Sequence, residues 1–456
     1  MAGATPAIVS SNPVARLLAN APMSRLQIVA VTLAVLLNAL DGFDVLAITF
    51  AAPGIAADWG IGPAQLGIAL SSGLIGMALG SLILGPIGDR IGRRPLIMLC
   101  TTLMATGMLL TATANSIVSL CFWRVITGLG IGGMVAAINA VASEFSNERR
   151  RDFSVAVMTI GYPAGGLVGG LAAAELVQVH GWQSIFVAGG VVTALFLPIV
   201  WWWLPESLEH LARQDTSKAR AEIDRLLARM GHPPIEHAPP APPELAGLDA
   251  APRRRGSHAE LLGPRFRTVT ILLVLAYFLH MMTFYFFSGW LPKLMSDIGY
   301  STPDAIRTSA LMSLGGVIGG AALGWAAPRF GLFRLVTLAM AGTALTFVIF
   351  GGLDGPVAMQ AVAFLAGVAV FGGIVGLYSL LARSFPTELR VTGTGLAIGL
   401  GRGGAVLGPL VGGLLLQRGL GVGTAIGAVG LSSLFAAACL LLLARHQRRA
   451  LTKAAD

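Results

Sequence analysis

Long apolar runs and short polar stretches alternate along the chain, and this pattern predicts its fold. Each run is continuous over roughly 20 residues, the length with which an α-helix crosses a bilayer. Helices are favoured because only helices and closed barrels satisfy the backbone in lipid, and barrel strands alternate apolar and polar positions. Twelve spans are predicted: 27–52, 64–86, 96–114, 118–144, 153–175, 183–204, 267–292, 305–328, 332–352, 356–382, 390–416 and 422–444.

A long polar stretch in the middle of the chain separates two groups of six spans. Its first part, from Pro205 to Met230, is compatible with a surface helix. The rest is rich in proline and alanine, contains Arg253, Arg254 and Arg255, and is too polar to bury a core, so we expect a linker. The predicted segments are a terminal segment 1–26, a six-helix bundle 27–204, a central loop 205–266, a second six-helix bundle 267–444 and a tail 445–456.

The two groups of spans also repeat each other in sequence. Residues 145–150, FSNERR, precede the fifth span, and residues 385–390, FPTELR, precede the eleventh at an offset of 240. Arg90, after the second span, corresponds to Arg329, after the eighth, at an offset of 239. Parallel repeats of this kind place a substrate site between the halves, near the middle of the membrane. The fold class predicted is therefore an all-α membrane protein with twelve transmembrane helices in two pseudo-symmetric six-helix bundles.

Composition and charge support this reading and orient the chain. Charged residues make up 12% of the chain, whereas soluble domains carry about 25%. The net charge of +9 would suggest a nucleic-acid partner in a soluble protein, but in a membrane protein it is a topology signal, and no nucleic acid is expected. With both termini in the cytoplasm, 26 of the 31 Lys and Arg lie on the cytoplasmic side, and the outer loops hold Lys293, Arg307 and Arg418. We therefore expect a multi-pass inner-membrane protein with cytoplasmic termini.

Two carboxylates lie near the middle of the first span. Asp41 and Asp44 are three residues apart, so they share one helix face. An ionised acid at this depth costs several kcal/mol, so each should be paired, hydrated or protonated. Burial and the proximity of a like charge both favour the protonated form of a carboxyl group. The pair is therefore a candidate proton site, and the alternative is a permanent ion pair with Arg124.

Cationic and aromatic side chains within the spans are candidates for substrate binding. Arg124 and Arg402 can each bind a carboxylate through two parallel hydrogen bonds, although Arg124 could instead only neutralise the acids of the first span. The rings of Phe284 and Tyr378 suit stacking against a flat substrate, with helix packing as the alternative. His280, near mid-span, is a candidate substrate donor or proton relay, or a packing histidine.

The polar connection after the second span carries the most specific motif. Residues 85–94 read GPIGDRIGRR, which resembles the signature loop of the major facilitator superfamily. The glycines allow a tight turn and close helix approach. The resemblance implies that Asp89, with Arg90 and Arg93, latches one conformational state. The alternative for the arginines is a role as topology anchors alone. Glu144, at the end of the fourth span, is expected to pair with the arginines at 149–151, and the alternative is a role on the proton exit path.

Three motifs together narrow the resemblance. Asp-Gly-Phe-Asp at 41–44, the signature loop, and RSFPTELR at 383–390 resemble the aromatic acid:proton symporter family over nearly the whole chain. The resemblance implies the major facilitator fold and proton-coupled uptake of benzoate-like acids across a bacterial inner membrane. The positions that match the family's functional acids are Asp41, Asp44 and Asp89. Arg124 is the first choice for the substrate carboxylate, because the fourth span borders the central cavity in this fold.

Other function classes are weaker. Proton-antiporting efflux of amphipathic compounds is the rival within transporters, and a membrane sensor of aromatic acids is the rival outside them. Residues 128–133, GLGIGG, fit a dinucleotide-binding pattern, but they lie inside a span, where small residues serve helix packing. The sequence contains no Walker loop, metal-ligand cluster or catalytic triad, so we expect no enzymatic activity, cofactor or metal. A monomer is expected.

Overall fold

The computed structural model describes residues 17–18, 21–214, 216–233, 258–353 and 355–455. Twelve of the helices in these ranges are long and apolar enough to cross a membrane, which confirms the predicted spans. The twelve are α1 (Arg25–Trp59), α2 (Pro63–Ile91), α3 (Arg93–Ala112), α4 (Ile117–Glu144), α5 (Arg151–His180), α6 (Gln183–Trp203), α7 (Arg267–Asp297), α8 (Thr302–Phe330), α9 (Leu332–Gly351), α10 (Pro356–Ser384), α11 (Thr387–Gln417) and α12 (Val422–Ala455).

The helices extend beyond the apolar runs because local capping sets their ends. Ser24 and Gln27 form a reciprocal capping box at the start of α1, and Gly60 ends the helix in the left-handed conformation, with φ 61°. As a result, α1 is longer at both ends than the predicted span 27–52. Helix α12 continues to Ala455, so the described part of the predicted tail is a helical extension, whereas its membrane-compatible part ends at Gln447.

Two short helices, Leu208–Gln214 and Ser217–Arg229, lie where the sequence is compatible with one surface helix. Thr216 starts the second by accepting a hydrogen bond from the Ala219 amide. Their apolar side chains, such as Ile223, belong to the same hydrophobic core as the first six spans. The proline-rich linker predicted downstream, with its three arginines, lies outside the described residues. A four-residue helix, His258–Leu261, precedes α7.

The membrane helices form two bundles with the same internal packing. In the N-terminal bundle, α1 to α6, the closest pairs are α2 with α4, α1 with α5, α3 with α4 and α3 with α6. In the C-terminal bundle, α7 to α12, the corresponding pairs six helices later pack together. Between the bundles, α2 packs against α11 and α5 packs against α8. These two contacts are equivalent, because α8 is the repeat of α2 and α11 is the repeat of α5. The packing therefore follows the sequence repeat.

The two bundles are in close contact on the side of the membrane opposite the chain termini, here called the far side. A Cβ atom on Gly67 of α2 would lie 2.8 Å from the carbonyl oxygen of Pro409 in α11. The hydroxyl of Ser71 donates to the Val406 carbonyl at 2.8 Å. Between α5 and α8, Glu175 and Arg307 form an ion pair at 2.7 Å. Helix packing and polar contacts thus close the far side.

The bundles separate toward the side on which the termini lie, here called the terminal side. Gly85 lies 18 residues, five helical turns, after Gly67 on α2, and therefore on the same face. A Cβ atom on Gly85 would have no neighbour within 4 Å. The same holds on α11 for Gly399 and Gly395, which precede Val406 and Pro409 by about two to four turns. The interface that is closed on the far side is therefore open on the terminal side.

Candidate proton and substrate site

The acid pair, Asp41 and Asp44, lies at the centre of α1, where the two residues are the 17th and 20th of 35. Both are 0% exposed. None of their four carboxylate oxygens has a hydrogen-bond partner among the described residues. Because an unpartnered ionised carboxylate in such a place is strongly unfavourable, the arrangement suits two neutral acids that can exchange protons.

Arg124 of α4 lies inside the N-terminal bundle and is 1% exposed. Its guanidinium donates to the backbone carbonyl of Asp44 at 2.9 Å and to the sulfur of Met108 at 3.5 Å, and lies 5.9 Å from the centre of the Phe186 ring. In the described structure, Arg124 therefore contacts the backbone of Asp44. It does not form the ion pair with the acid carboxylates that was the alternative from the sequence. A small cavity adjoins the guanidinium and is lined by Val45, Leu70, Gly73, Leu74, Met77 and Ile131.

Arg402 lies at the interface between the bundles, on the face of α11 that packs against α2. It is half-buried, and its guanidinium donates to the Met77 carbonyl of α2 at 2.7 Å. Tyr277 and Tyr285 of α7 lie within electrostatic range of this cation. The Tyr277 hydroxyl donates to that of Tyr378, in α10, at 3.1 Å. These groups together form a polar patch on the C-terminal bundle.

Aromatic rings surround this patch. Phe284 of α7 makes edge-to-face contacts with Tyr285, at 4.7 Å between ring centres, and with Phe371 of α10, at 5.0 Å. Tyr162 of α5 reaches the patch from the other bundle, with its ring centre 6.4 Å from that of Phe371. Tyr378 is 39% exposed, so it is the most accessible of the four tyrosines at the patch. We call Tyr162, Tyr277, Tyr285 and Tyr378 the tyrosine cluster.

His280 lies apart from this cluster, in the interior of the C-terminal bundle. It is 0% exposed, and its ring nitrogens are 2.9 Å from the Ser433 hydroxyl in α12 and 3.0 Å from the Val370 carbonyl in α10. A carbonyl can only accept, so Nε2 carries the proton toward Val370 and Nδ1 accepts from Ser433. Both nitrogens are therefore occupied in this conformation, and the histidine ties three helices together.

The signature loop forms a separate charged cluster on the terminal side. Asp89 accepts a hydrogen bond from Arg93 at 2.8 Å, and Arg93 lies 3.5 Å from Glu144 of α4. Glu144 also accepts from the Ser207 hydroxyl. The expected pairing of Glu144 with the arginines at 149–151 is wrong, because Arg93 is brought closer by the turn between α2 and α3. Arg90 is exposed.

The structure thus divides the candidate residues among four places. The acids Asp41 and Asp44 lie next to Arg124. At the bundle interface, Arg402 lies with Phe284 and Tyr378. His280 lies within the C-terminal bundle, and the signature loop lies on the terminal side. Sequence reasoning missed Tyr162 and Tyr277. The chain has only five tyrosines, and four of them fall within predicted spans, which was the available signal. Their convergence depends on the packing of α5, α7 and α10.

Comparison with known proteins identifies the family. The chain matches the family model described as Major Facilitator Superfamily at residues 34–402 and 273–456. It is 32% identical over 436 residues to the gallate transporter of Pseudomonas putida, an alignment that covers 95% of each chain. It is also 32% identical to the 4-hydroxybenzoate transporter PcaK of Acinetobacter baylyi, over 88% of this chain and 87% of that one.

Solved structures agree on the fold. The D-xylose–proton symporter superposes with a TM-score of 0.68 at 17% identity, over 90% of this chain and 97% of that one. The xylose transporter XylE from E. coli, in an inward-open conformation, also superposes with a TM-score of 0.68, at 16% identity over 91% of this chain and 95% of that one. The relatives are transporters rather than enzymes. The chain belongs to the Major Facilitator Superfamily and, within it, to the family of aromatic acid transporters that its first-span, signature-loop and RSFPTELR motifs resemble.

Proposed function

We propose that this protein is a proton-coupled secondary transporter that imports a hydroxylated aromatic carboxylate by alternating access. The observation that carries the proposal is the pairing of two buried, unpartnered carboxylates in α1 with a guanidinium and a tyrosine cluster at the bundle interface. The first group suits protons and the second suits an aromatic anion. The relatives named for gallate and 4-hydroxybenzoate support this substrate class.

The substrate binds at Arg402 and the tyrosine cluster. The partner of Arg402 in this conformation is the neutral Met77 carbonyl, and a carboxylate is a stronger acceptor that the planar guanidinium can bind bidentately. The Tyr378 hydroxyl is accessible, and phenols can both donate to and accept from ring hydroxyls. Phe284 is buried and packs edge-to-face against Tyr285 and Phe371, so it supports from behind the aromatic surface next to the substrate.

Arg124 serves the acid pair rather than the substrate. It is almost fully buried and donates a hydrogen bond to the Asp44 backbone carbonyl, so a positive charge lies beside the Asp44 carboxylate when that group is ionised. The cost of an ionised acid in the bundle interior is thereby lowered without locking it in an ion pair. His280 positions α7 against α10 and α12, so its effect on the substrate passes through Phe284 on the same helix.

The coupling follows from charge. An anion that enters a cell with a negative interior opposes about 2.3 kcal/mol per charge per 100 mV. One proton carried with it cancels this charge, and further protons add driving force. The two carboxylates of the acid pair provide places for such protons inside the membrane.

The asymmetric contact between the bundles supports alternating access. We assign the terminal side to the cytoplasm of a bacterial cell, because most Lys and Arg lie there. The open interface then faces inward and the closed far side faces outward. Return to the outward-open state requires the bundles to close at Gly85 and Gly399, next to the signature loop, which suits a latch role for Asp89, Arg90 and Arg93. One chain is the transport unit.

Counterflow in proteoliposomes tests the proposal. Vesicles preloaded with unlabelled 4-hydroxybenzoate should accumulate labelled 4-hydroxybenzoate transiently, and gallate or protocatechuate inside should support the same exchange. A sensor without transport gives no counterflow. A transporter of another substrate class gives none with these acids, and either result would overturn the proposal.

A further inference from the structure

Tyr162 of α5 is fixed against the acid pair by its backbone. A Cβ atom on Gly42 of α1 would lie 2.0 Å from the Tyr162 carbonyl oxygen, so the two helices touch at this point. A Cβ on Gly165, one turn later, would lie 1.8 Å from the Ala39 carbonyl. Only glycine allows this approach, and Gly42 is next to Asp41 in the chain. The crossing of α1 and α5 therefore holds Tyr162 beside the first acid.

The side chain of Tyr162 extends to the other bundle. Its ring centre lies 6.4 Å from that of Phe371, and it packs against two hydrophobic clusters, one within the N-terminal bundle and one that includes residues of both bundles, as Tyr285 does. Asp41, Tyr285 and Tyr378 lie within electrostatic range of its hydroxyl, and Arg402 lies within range of Tyr285. Tyr162 therefore stands between the proton site and the substrate site.

The Tyr162 hydroxyl is buried and lacks a hydrogen-bond partner in the described structure. The Tyr285 side chain lies close enough to interact with this hydroxyl electrostatically. A buried hydroxyl without a partner costs stability, so a function for it is expected in another state of the cycle. A substrate between the bundles, and the closure that follows, would bring polar atoms to it.

We infer that Tyr162 links proton uptake to substrate binding through its single hydroxyl. The inference rests on the proposed function. A hydroxyl has one hydrogen to donate and can also accept. Neither group has a hydrogen-bond partner in this conformation, so the link forms as the bundles close, when an ionised Asp41 draws that hydrogen to its carboxylate. When Asp41 is protonated, its own O–H donates to the Tyr162 oxygen, and the Tyr162 hydrogen is free for the substrate carboxylate. Proton and substrate then bind cooperatively.

The charged and titratable groups around Tyr162 agree with this direction. Asp41 approaches from α1, Tyr285 from α7 and Tyr378 from α10, while the cation Arg402 acts from α11 through Tyr285. Asp41 is the only carboxylate among the described groups that act on Tyr162. Its protonation is thus the event that releases the hydroxyl. Tyr162 does not bind the transported proton; it positions the hydrogen bonds that join the two sites.

The test is the affinity for 4-hydroxybenzoate, measured by calorimetry on purified protein between pH 6 and pH 8. Wild-type affinity should tighten about tenfold or more toward pH 6. Tyr162→Phe should bind more weakly at pH 6, and its pH ratio, the affinity at pH 6 divided by that at pH 8, should be about twofold or less. Asp41→Asn, a permanent donor, should bind at all pH values about as wild type does at pH 6, and adding Tyr162→Phe should weaken that binding.

Two other tyrosine substitutions serve as controls. Tyr300→Phe, in the far-side connection between α7 and α8, should keep both the affinity and its pH ratio. Tyr378→Phe should lose affinity equally at every pH. If Tyr162→Phe fails to fold, a ring-fluorinated tyrosine at 162, a stronger donor of the same shape, should change the pH ratio by more than about twofold.

The outcomes separate the two claims. A wild type with steep pH dependence and a Tyr162→Phe variant with a flat one supports the link. Equal pH dependence in both, or an unchanged ratio with fluorotyrosine, overturns the role of Tyr162 and leaves proton coupling intact. A wild-type affinity that does not change with pH overturns the proposed proton coupling and the link with it.

Discussion

Arg402 in α11 donates a hydrogen bond to the backbone carbonyl of Met77 in α2, at 2.7 Å across the bundle interface. The contact joins the two halves of the protein at the level of the tyrosine cluster. It lies on the terminal-side edge of the region where α2 and α11 touch, next to where they separate. A substrate carboxylate that takes over this guanidinium would remove one bond between the bundles. Binding would thereby loosen the closed far side.

Arg402→Lys should weaken 4-hydroxybenzoate binding roughly 10- to 100-fold, because an ammonium keeps the charge but cannot bind a carboxylate bidentately. Calorimetry at pH 6 measures the loss. Arg418→Lys, an exposed arginine at the end of the same helix, should bind as the wild type does. Equal affinities in wild type and Arg402→Lys would move the carboxylate site away from α11, with Arg124 as the next candidate.

Asp41→Asn and Asp44→Asn should each abolish accumulation driven by a proton gradient, because the amide cannot exchange a proton. At least one of the two should retain counterflow, since neither residue lies in the tyrosine cluster. Uptake and counterflow of labelled 4-hydroxybenzoate, measured on the same proteoliposomes, separate the two activities. Proton-driven accumulation that survives in both variants would place the coupling group elsewhere, with Glu144 and His280 next.

Asp89→Asn should slow exchange up to about fivefold and leave substrate affinity unchanged. The Asp89 side chain is 62% exposed in its ion pair with Arg93, and exposed ion pairs contribute at most about 1 kcal/mol. The pair lies on the terminal side, away from the substrate site, so it should act on the conformational equilibrium alone. Glu148→Gln, in the next terminal-side loop, is the control. A large loss of affinity with normal exchange would contradict the latch role.

Gly67→Ala should shift the protein toward the state that is open on the far side. The added Cβ would lie 2.8 Å from the Pro409 carbonyl, and overpacking of this kind costs about 1–3 kcal/mol. Ser313→Cys, buried next to Gly166 between α5 and α8, reports opening through labelling by a membrane-impermeant thiol reagent after the native cysteines are replaced.

The control for this substitution is Gly427→Ala, because a Cβ there has no neighbour within 4 Å. Labelling of Ser313→Cys should rise with Gly67→Ala and stay at the wild-type level with Gly427→Ala. Removal of the exposed Glu175–Arg307 pair should change it by less than about fivefold. Unchanged labelling with Gly67→Ala would show that glycine packing does not hold the far side closed.

The sequence was sufficient for features that depend on local pattern, and insufficient for those that depend on packing. The twelve spans follow from apolar length, and the acid pair stands out because Asp is so unfavourable in lipid. The helix ends depend on capping by Ser24 and Gly60, outside the apolar run. Tyr162 and Tyr277 escape prediction because tyrosine is amphipathic and common in packing roles. Only the crossing of α5 with α1, and of α7 with α10, gives them a shared site.

Proton movement during substrate entry tests proton symport most directly. Proteoliposomes with a trapped pH dye, at equal pH inside and outside and without sodium, receive external 4-hydroxybenzoate at pH 7.5, where the acid is ionised. Wild-type protein should acidify the lumen, and Asp41→Asn or Asp44→Asn should cause no acidification beyond the protein-free level. Substrate entry without acidification, or with alkalinisation of the lumen, would contradict proton symport.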